Sequence, residues 1–196
     1  GSRLTAEQPD AACRVVTSGR ALDVLVGEAG TGKSTTMAGV RAGWEAAFGT
    51  GSVVGLAPSA AAAEVPADAV GVPTENTAKW LVEQGRQDQR LAELASLQGK
   101  LRGASPSLRT RALTRRARQV RADLDRWRLR GGQLVIVDEA SMAGTLELDT
   151  LTTQAREVGA KVLLVGDPAQ LSPVATGGAF RLLVTDRDDA PELVDV

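Results

Sequence analysis

Eight consecutive residues, Gly27-Glu28-Ala29-Gly30-Thr31-Gly32-Lys33-Ser34, combine three glycines, a lysine and a hydroxyl at the spacing that wraps a backbone around phosphate. Gly27, Gly30 and Gly32 let the chain curl so that its amides converge, and a helix starting behind them adds the positive end of its dipole. Lys33 then reaches the β- and γ-phosphates, and Ser34 ligates Mg²⁺. The candidate nucleotide-binding set is thus Gly27, Glu28, Ala29, Gly30, Thr31, Gly32, Lys33, Ser34 and Thr35. A second group, Asp138-Glu139, ends the apolar run of "LVIVDEAS". Phosphoryl transfer needs mainly positioning and charge neutralisation, which puts Asp138 on the metal and Glu139 on the attacking water as orienting base. A glycine-rich turn and a solvated acidic turn are the plain alternatives, and the pairing of the two motifs argues against both. In "LLVGDPAQLSPV", Gln170 either shapes a turn or stands at the sheet edge, where its amide bonds the γ-phosphate and the lytic water. Lys33, Glu139 and Gln170 are the candidate catalytic residues.

Composition bounds what else the chain can do. It has 196 residues, 43% apolar and 24% charged, the balance of a soluble globular domain. There is no histidine, so the Ser-His and Cys-His nucleophile pairs and the commonest transition-metal ligand are excluded. One cysteine, Cys13, excludes an internal disulfide and fits a cytoplasmic location. No apolar run approaches the roughly 18 residues of a membrane span, and no signal peptide opens the chain. The net charge of −1 hides an asymmetry: between Gly99 and Arg130, ten arginines and one lysine face two aspartates, an excess of nine positive charges, so the rest carries −10.

The elements that must position these residues follow from periodicity. Apolar runs at Leu22–Val26, Ser52–Ala57, Gln133–Asp138 and Lys161–Asp167 read as strands, with "ELVDV" as a further candidate. Helices are expected over Thr5–Thr17, opened by a Thr5-x-x-Gln8 capping box, over Ser34–Phe48 with Gly49 as stop, and near Leu146–Val158. An Ala-rich helix after Ala57 should be shortened or kinked by Pro66. Alternating strands and helices imply an α/β, three-layer P-loop NTPase fold with a mostly parallel sheet. The exception is 87–130, where Leu91, Leu94, Leu97 and Leu101, then Leu113, Ala117, Val120, Leu124 and Trp127, give two amphipathic stripes and a turn near "GASPS". We expect a basic helical hairpin over 87–130, inserted in a domain formed by 1–86 and 131–196.

Taken together, these residues resemble the first, RecA-like motor domain of superfamily 1 DNA helicases. "LTAEQ", "DVLVGEAGTGKSTTM", "VVGLAPSAAAA", "TENTAKWL", "VIVDEASMAGT" and "VGDPAQLSPVATGGAF" are similar to the helicase part of conjugative relaxases of the TraI/TrwC type, particularly actinobacterial TraA-like ones. RecD-like repair helicases share most of these motifs and are the nearest alternative; a non-enzymatic, nucleotide-dependent interaction module is the more distant one. The resemblance implies ATP and Mg²⁺ as cofactors and adenine recognition by Gln8, whose capping role is an equally good reason for a glutamine there. It nominates Pro58, Ser59, Thr74, Thr77 and Lys79 for contact with single-stranded DNA, and Trp80 either as a stacking platform or as core. The basic hairpin is either a phosphate-binding surface or a solvated one. The resemblance also implies a second RecA-like domain and a relaxase domain as partners in one parent chain, so that the first domain alone should be nearly inactive.

Overall fold

The computed structural model describes residues 7–28, 30–58, 71–168, 178–186 and 191–193. Six strands form one sheet: β1 (Leu22–Gly27), β2 (Val53–Ala57), β3 (Thr74–Asn76), β4 (Leu134–Val137), β5 (Lys161–Gly166) and β6 (Glu192–Leu193). Their order is β3-β2-β4-β5-β1-β6, and every pairing is parallel. The four central strands are Val/Leu/Ile-rich on both faces, as a sheet covered on both sides requires. Leu25, Val53, Leu134, Ile136, Leu163 and Val165 pack in one core with Ala11, Ala12 and Val15 of α1 (Glu7–Thr17) and Met37, Val40 and Trp44 of α2 (Lys33–Phe48). Gly39 and Gly43 let α1 lie close, since a Cβ on them would stand 3.6 Å from Ala12 and 3.4 Å from Val16. Strand alternation sends the intervening side chains to the other face. There α6 (Thr145–Val158) packs on β5 and on α7 (Gly178–Thr185), which also contacts β1.

At the amino ends of the strands, Lys161 is buried, with its Nζ 2.7 Å from Asp23 Oδ2 and donating to Val15 O and Ser18 Oγ at 2.6 Å each. Ser18 Oγ donates to the same Asp23 oxygen at 2.5 Å. A charged pair in a dry interior holds only if its remaining polar atoms are satisfied, and this one recruits the end of α1 to do so.

The chain divides into two compact units, 1–79 with 129–196, and Trp80–Arg128. The passage between them falls within α3 (Thr77–Gln84). The second unit contains α4 (Gln87–Leu101) packed on α5 (Leu108–Arg126). Ser107 caps α5 in a reciprocal box with Thr110, which explains where the turn ends. Leu97, Val120 and Trp127 are buried, and Arg116 binds Glu93 through a two-bond fork at 2.7 and 2.9 Å across the two helices. The expected leucine stripe of α4 is not uniform: Leu97 is buried, Leu94 and Leu101 are partly buried, and Leu91 stays 54% exposed.

Several sequence expectations meet differences. Strand β3 and helix α7 were not foreseen; three residues, Thr74 to Asn76, are too short for a periodicity. Leu22–Gly27, Lys33–Phe48 and Thr145–Val158 match their expected spans within a residue, and Gly49 terminates α2 with φ 93°. The Ala-rich segment with Pro66, the side chain of Gln8 with its capping box, Ala29, Ser59 and Gln170 lie outside the described residues.

Candidate nucleotide site

Three segments meet at the carboxyl edge of the sheet. The turn after β1 leads through Gly30 and Gly32, at φ 93° and 85°, into the first turn of α2, which carries Lys33, Ser34 and Thr35. Positive φ is where glycine is needed, because a side chain there collides with its own backbone. Thr31 Oγ1 donates to Glu28 O at 2.9 Å, and Thr36 N donates to Gly32 O at 3.0 Å, which fixes the loop at both ends. Gly27 must lack a side chain for a different reason. A Cβ there would lie 2.7 Å from Thr31 Oγ1, 3.1 Å from Lys33 Cγ and 3.2 Å from Leu193 Cβ. Lys33 Nζ donates to Gly27 O at 2.7 Å, laying the ammonium across the loop.

Strand β4 delivers the acids. Asp138 N donates to Leu56 O at 3.0 Å, extending the ladder by one residue and fixing where the carboxylate emerges. Burial pushes the Asp138 carboxyl above the usual aspartate range, against a 2.9 Å hydrogen bond from Glu139 N and the charge of Lys33, which both favour the ionised form. Glu139 has φ 51° and ψ 37°, and among the described residues it is the one non-glycine with positive φ. The turn Ala140–Met142 follows directly, with Ala140 and Ser141 buried.

Between these two stands β5, whose register aligns Gly166 with Val26 and Leu164 with Val137. Its end therefore emerges between the lysine and the acids, with Asp167 buried. A Cβ on Gly166 would meet Phe180 Cζ at 3.0 Å and the Ser141 amide nitrogen at 3.2 Å. Phe180 of α7 thus packs under the end of β5 and beside the acidic turn. The motif "VATGGAF" gives its phenylalanine no task in the sequence, and a buried aromatic thirteen residues past the end of the nearest expected strand leaves no periodic trace.

The residues nominated for DNA separate into two groups. Thr74, Pro58 and Lys79 are accessible in part; Asn76, which no motif singled out, joins them by donating Nδ2 to Pro58 O at 3.0 Å and accepting from Lys79 N at 2.9 Å. Lys79 Nζ pairs with Glu75 at 2.9 Å. Thr77 is fully buried at the first turn of α3, and Trp80 is 4% exposed, edge-on to Trp127 with ring centroids 5.6 Å apart. Their apolar surfaces are used in packing, so neither presents a face to a base in this conformation.

The donor set suits a magnesium nucleotide: a loop with glycines at positive φ, an ammonium bonded to Gly27 O, a hydroxyl on the first helical turn and a half-buried carboxylate whose burial outweighs the Glu139 hydrogen bond and the Lys33 charge. Residues 3–196 match the family model described as an AAA domain. The chain belongs to the AAA domain family. This AAA domain is 29% identical over 192 residues to the probable conjugal transfer protein TraA of Sinorhizobium fredii, covering 98% of the chain and 14% of that protein. It is 31% identical over 191 residues to the conjugal transfer protein TraA of Rhizobium radiobacter, covering 97% and 14%. RecBCD enzyme subunit RecD of Mycobacterium tuberculosis is 31% identical over 180 residues, 85% of the chain and 27% of that protein. Among solved structures, Pif1 helicase from Candida albicans superposes with a TM-score of 0.58 at 22% identity, over 100% of the chain and 41% of that structure, so the fold is shared. The AAA domain therefore spans about one seventh of the TraA relatives and about a quarter of RecD.

Proposed function

We propose that the AAA domain is the first motor domain of an ATP-dependent DNA helicase of the conjugal-transfer TraA type, acting in the cytoplasm on single-stranded DNA within a longer chain that also carries a second RecA-like domain and a relaxase domain. The observation that carries this reading is the strand order. Strand β5 runs between the phosphate-loop strand and the Asp138-Glu139 strand, so Asp167, just past its end, emerges between both. That Gln170 follows Asp167 by three residues in the sequence supports its assignment as a γ-phosphate sensor.

In this reading Gln8 contacts adenine, the amides of the 27–32 loop and Lys33 hold the phosphates, and Ser34 and Asp138 hold Mg²⁺. When bound, that ion neutralises charge on the β- and γ-phosphate oxygens. Glu139 orients the attacking water and accepts its proton as the terminal phosphate bond breaks, and the amide of Gln170 changes partners when the phosphate leaves. Pro58, Ser59, Thr74 and Lys79 line the strand-binding edge, with Asn76 as the clamp between β2 and α3. A RecD-like repair helicase is the second reading, favoured by 31% identity over 85% of the chain.

The two-domain requirement makes a test. A second domain supplies charge from the far side of the phosphates, so the 196-residue chain binds Mg-nucleotide at the phosphate loop, and Lys33→Ala removes the Mg²⁺-dependent binding in a calorimetric titration. Turnover by the same chain stays near background with or without single-stranded DNA. Robust DNA-stimulated hydrolysis by this chain alone would overturn the reading of the domain as half of a motor.

A further inference from the structure

Of the five aromatic side chains, four are no more than 6% exposed, and Phe48 is 55% exposed. It ends α2 at the amino edge of the sheet, the full length of β5, roughly 20 Å, from the phosphate loop. One face of its ring lies on Trp44, with centroids 4.6 Å apart and planes at 24°. Trp44 is itself pinned by a 2.9 Å hydrogen bond from Nε1 to Gly132 O. Gly132 also clears the ring edge, since a Cβ there would meet Phe48 Cδ1 at 3.2 Å. The ring is therefore held in one plane before anything binds to it.

Around it opens a cleft of about 490 Å³, within the size range of small-ligand sites, whose lining includes Phe48, Trp44, Arg20, Arg156 and the glycine turns at 19 and 159. Arg156 is exposed, and Lys161, which also lines the cleft, is committed to Asp23, Val15 O and Ser18. A fixed aromatic plane in one cleft with an exposed guanidinium matches a flat ring that carries an anion.

We propose that this amino-edge cleft is a second nucleotide site, separate from the phosphate loop, in which a nucleobase stacks on Phe48 and its phosphate lies against Arg156. The ligand class is a base with at least one phosphate, from a free nucleotide or from a nucleic-acid strand. The site stands on its own geometry and does not depend on the activity proposed for the carboxyl edge.

The test uses the full 196-residue chain carrying Lys33→Ala, which removes the phosphate-loop contact, and two probes, AMP and a short oligothymidylate. Phe48→Ala weakens binding by roughly five- to a hundred-fold, the range of a lost base–aromatic stack. Phe48→Trp, which keeps a ring, retains binding, and Arg156→Glu loses it in a salt-sensitive way. AMP bound as well as the oligonucleotide identifies a free nucleotide as the source; a clear advantage for the oligonucleotide identifies a strand. The proposal is overturned if neither probe binds, if Phe48→Ala leaves both affinities unchanged, or if Phe48→Trp is as defective as Phe48→Ala.

Discussion

Glu139 holds a left-handed backbone that costs a non-glycine residue about 1 kcal/mol or more, and it does so beside a buried carboxylate. Strain kept at the residue assigned to the attacking water is what a site selected for reactivity over stability contains. Glu139→Asn, a residue at ease in this conformation, should raise stability by up to about 1 kcal/mol while removing the hydrolysis proposed for the longer chain. Paired thermal melts and phosphate-release assays check it, and a less stable variant would show that the strain is not where the backbone places it. Asp138 gives a pH-dependent counterpart. Burial raises its folded pKa, so the folded state holds the proton more tightly than the unfolded state. The resulting penalty is absent below the ordinary aspartate range, grows as pH rises through that range to the folded value, and is constant above it. Metal-free Asp138→Asn should therefore melt with the wild type in acid and above it at neutral pH; parallel curves across that window would refute the assignment. That both acids and Lys33 would stand at the ends of strands at one sheet edge was legible in the sequence because each lies in a local motif. The strain at Glu139, the task of Phe180 and the clamp by Asn76 were not, since each depends on a neighbour far along the chain.

At the scale of elements, the long periodic segments were the readable ones: β1, β4, β5, α2 and α6 bury continuous apolar runs or stripes. Strand β3 escaped because its three residues gain their state from pairing with β2 and not from their own pattern. The helical hairpin was readable as a hairpin, but its charge pattern was not, because ion pairing decides which arginines are available. Its unit, Trp80–Arg128, carries twelve cationic and five acidic side chains, a net +7. Arg116 is held by Glu93, and Arg86 and Arg90 by Glu83. Arg111, Arg115 and Arg118 recur at spacings of four and three on the exposed side of α5, opposite buried Val120. If that ridge binds phosphate, reversing these three charges lowers affinity for single-stranded DNA and reduces the salt slope by about 0.7 per lost contact. Arg116→Glu, by contrast, acts by breaking the fork to Glu93 and lowers the melting temperature. An unchanged salt slope in the triple variant would leave the ridge as a solvated surface.

Across the whole molecule the two edges of the sheet divide the work. The carboxyl edge collects strained and half-buried groups, Glu139, Asp138 and the glycine turns, whereas the amino edge holds the buried Lys161–Asp23 pair that binds β5, β1 and the end of α1 together. Lys161→Met removes the ammonium 2.7 Å from the buried Asp23 carboxylate, and removal of one partner of a buried pair typically costs about 3–5 kcal/mol. Lys161→Met with Asp23→Leu removes both charges and should recover most of that loss, because two apolar side chains of similar volume replace the pair without stranding a charge. Since the pair lies at the opposite ends of the same strands from Lys33 and Asp138, the Mg²⁺-dependent nucleotide affinity of the phosphate loop, measured well below the melting temperature, should match the wild type in both variants. Denaturant melts and nucleotide titrations on the three proteins decide the matter. A double variant as unstable as the single one would mean that α1 is held by the hydrogen bonds to Val15 O and Ser18 rather than by charge neutralisation, and a parallel fall in affinity would mean that the two edges are mechanically coupled through β5.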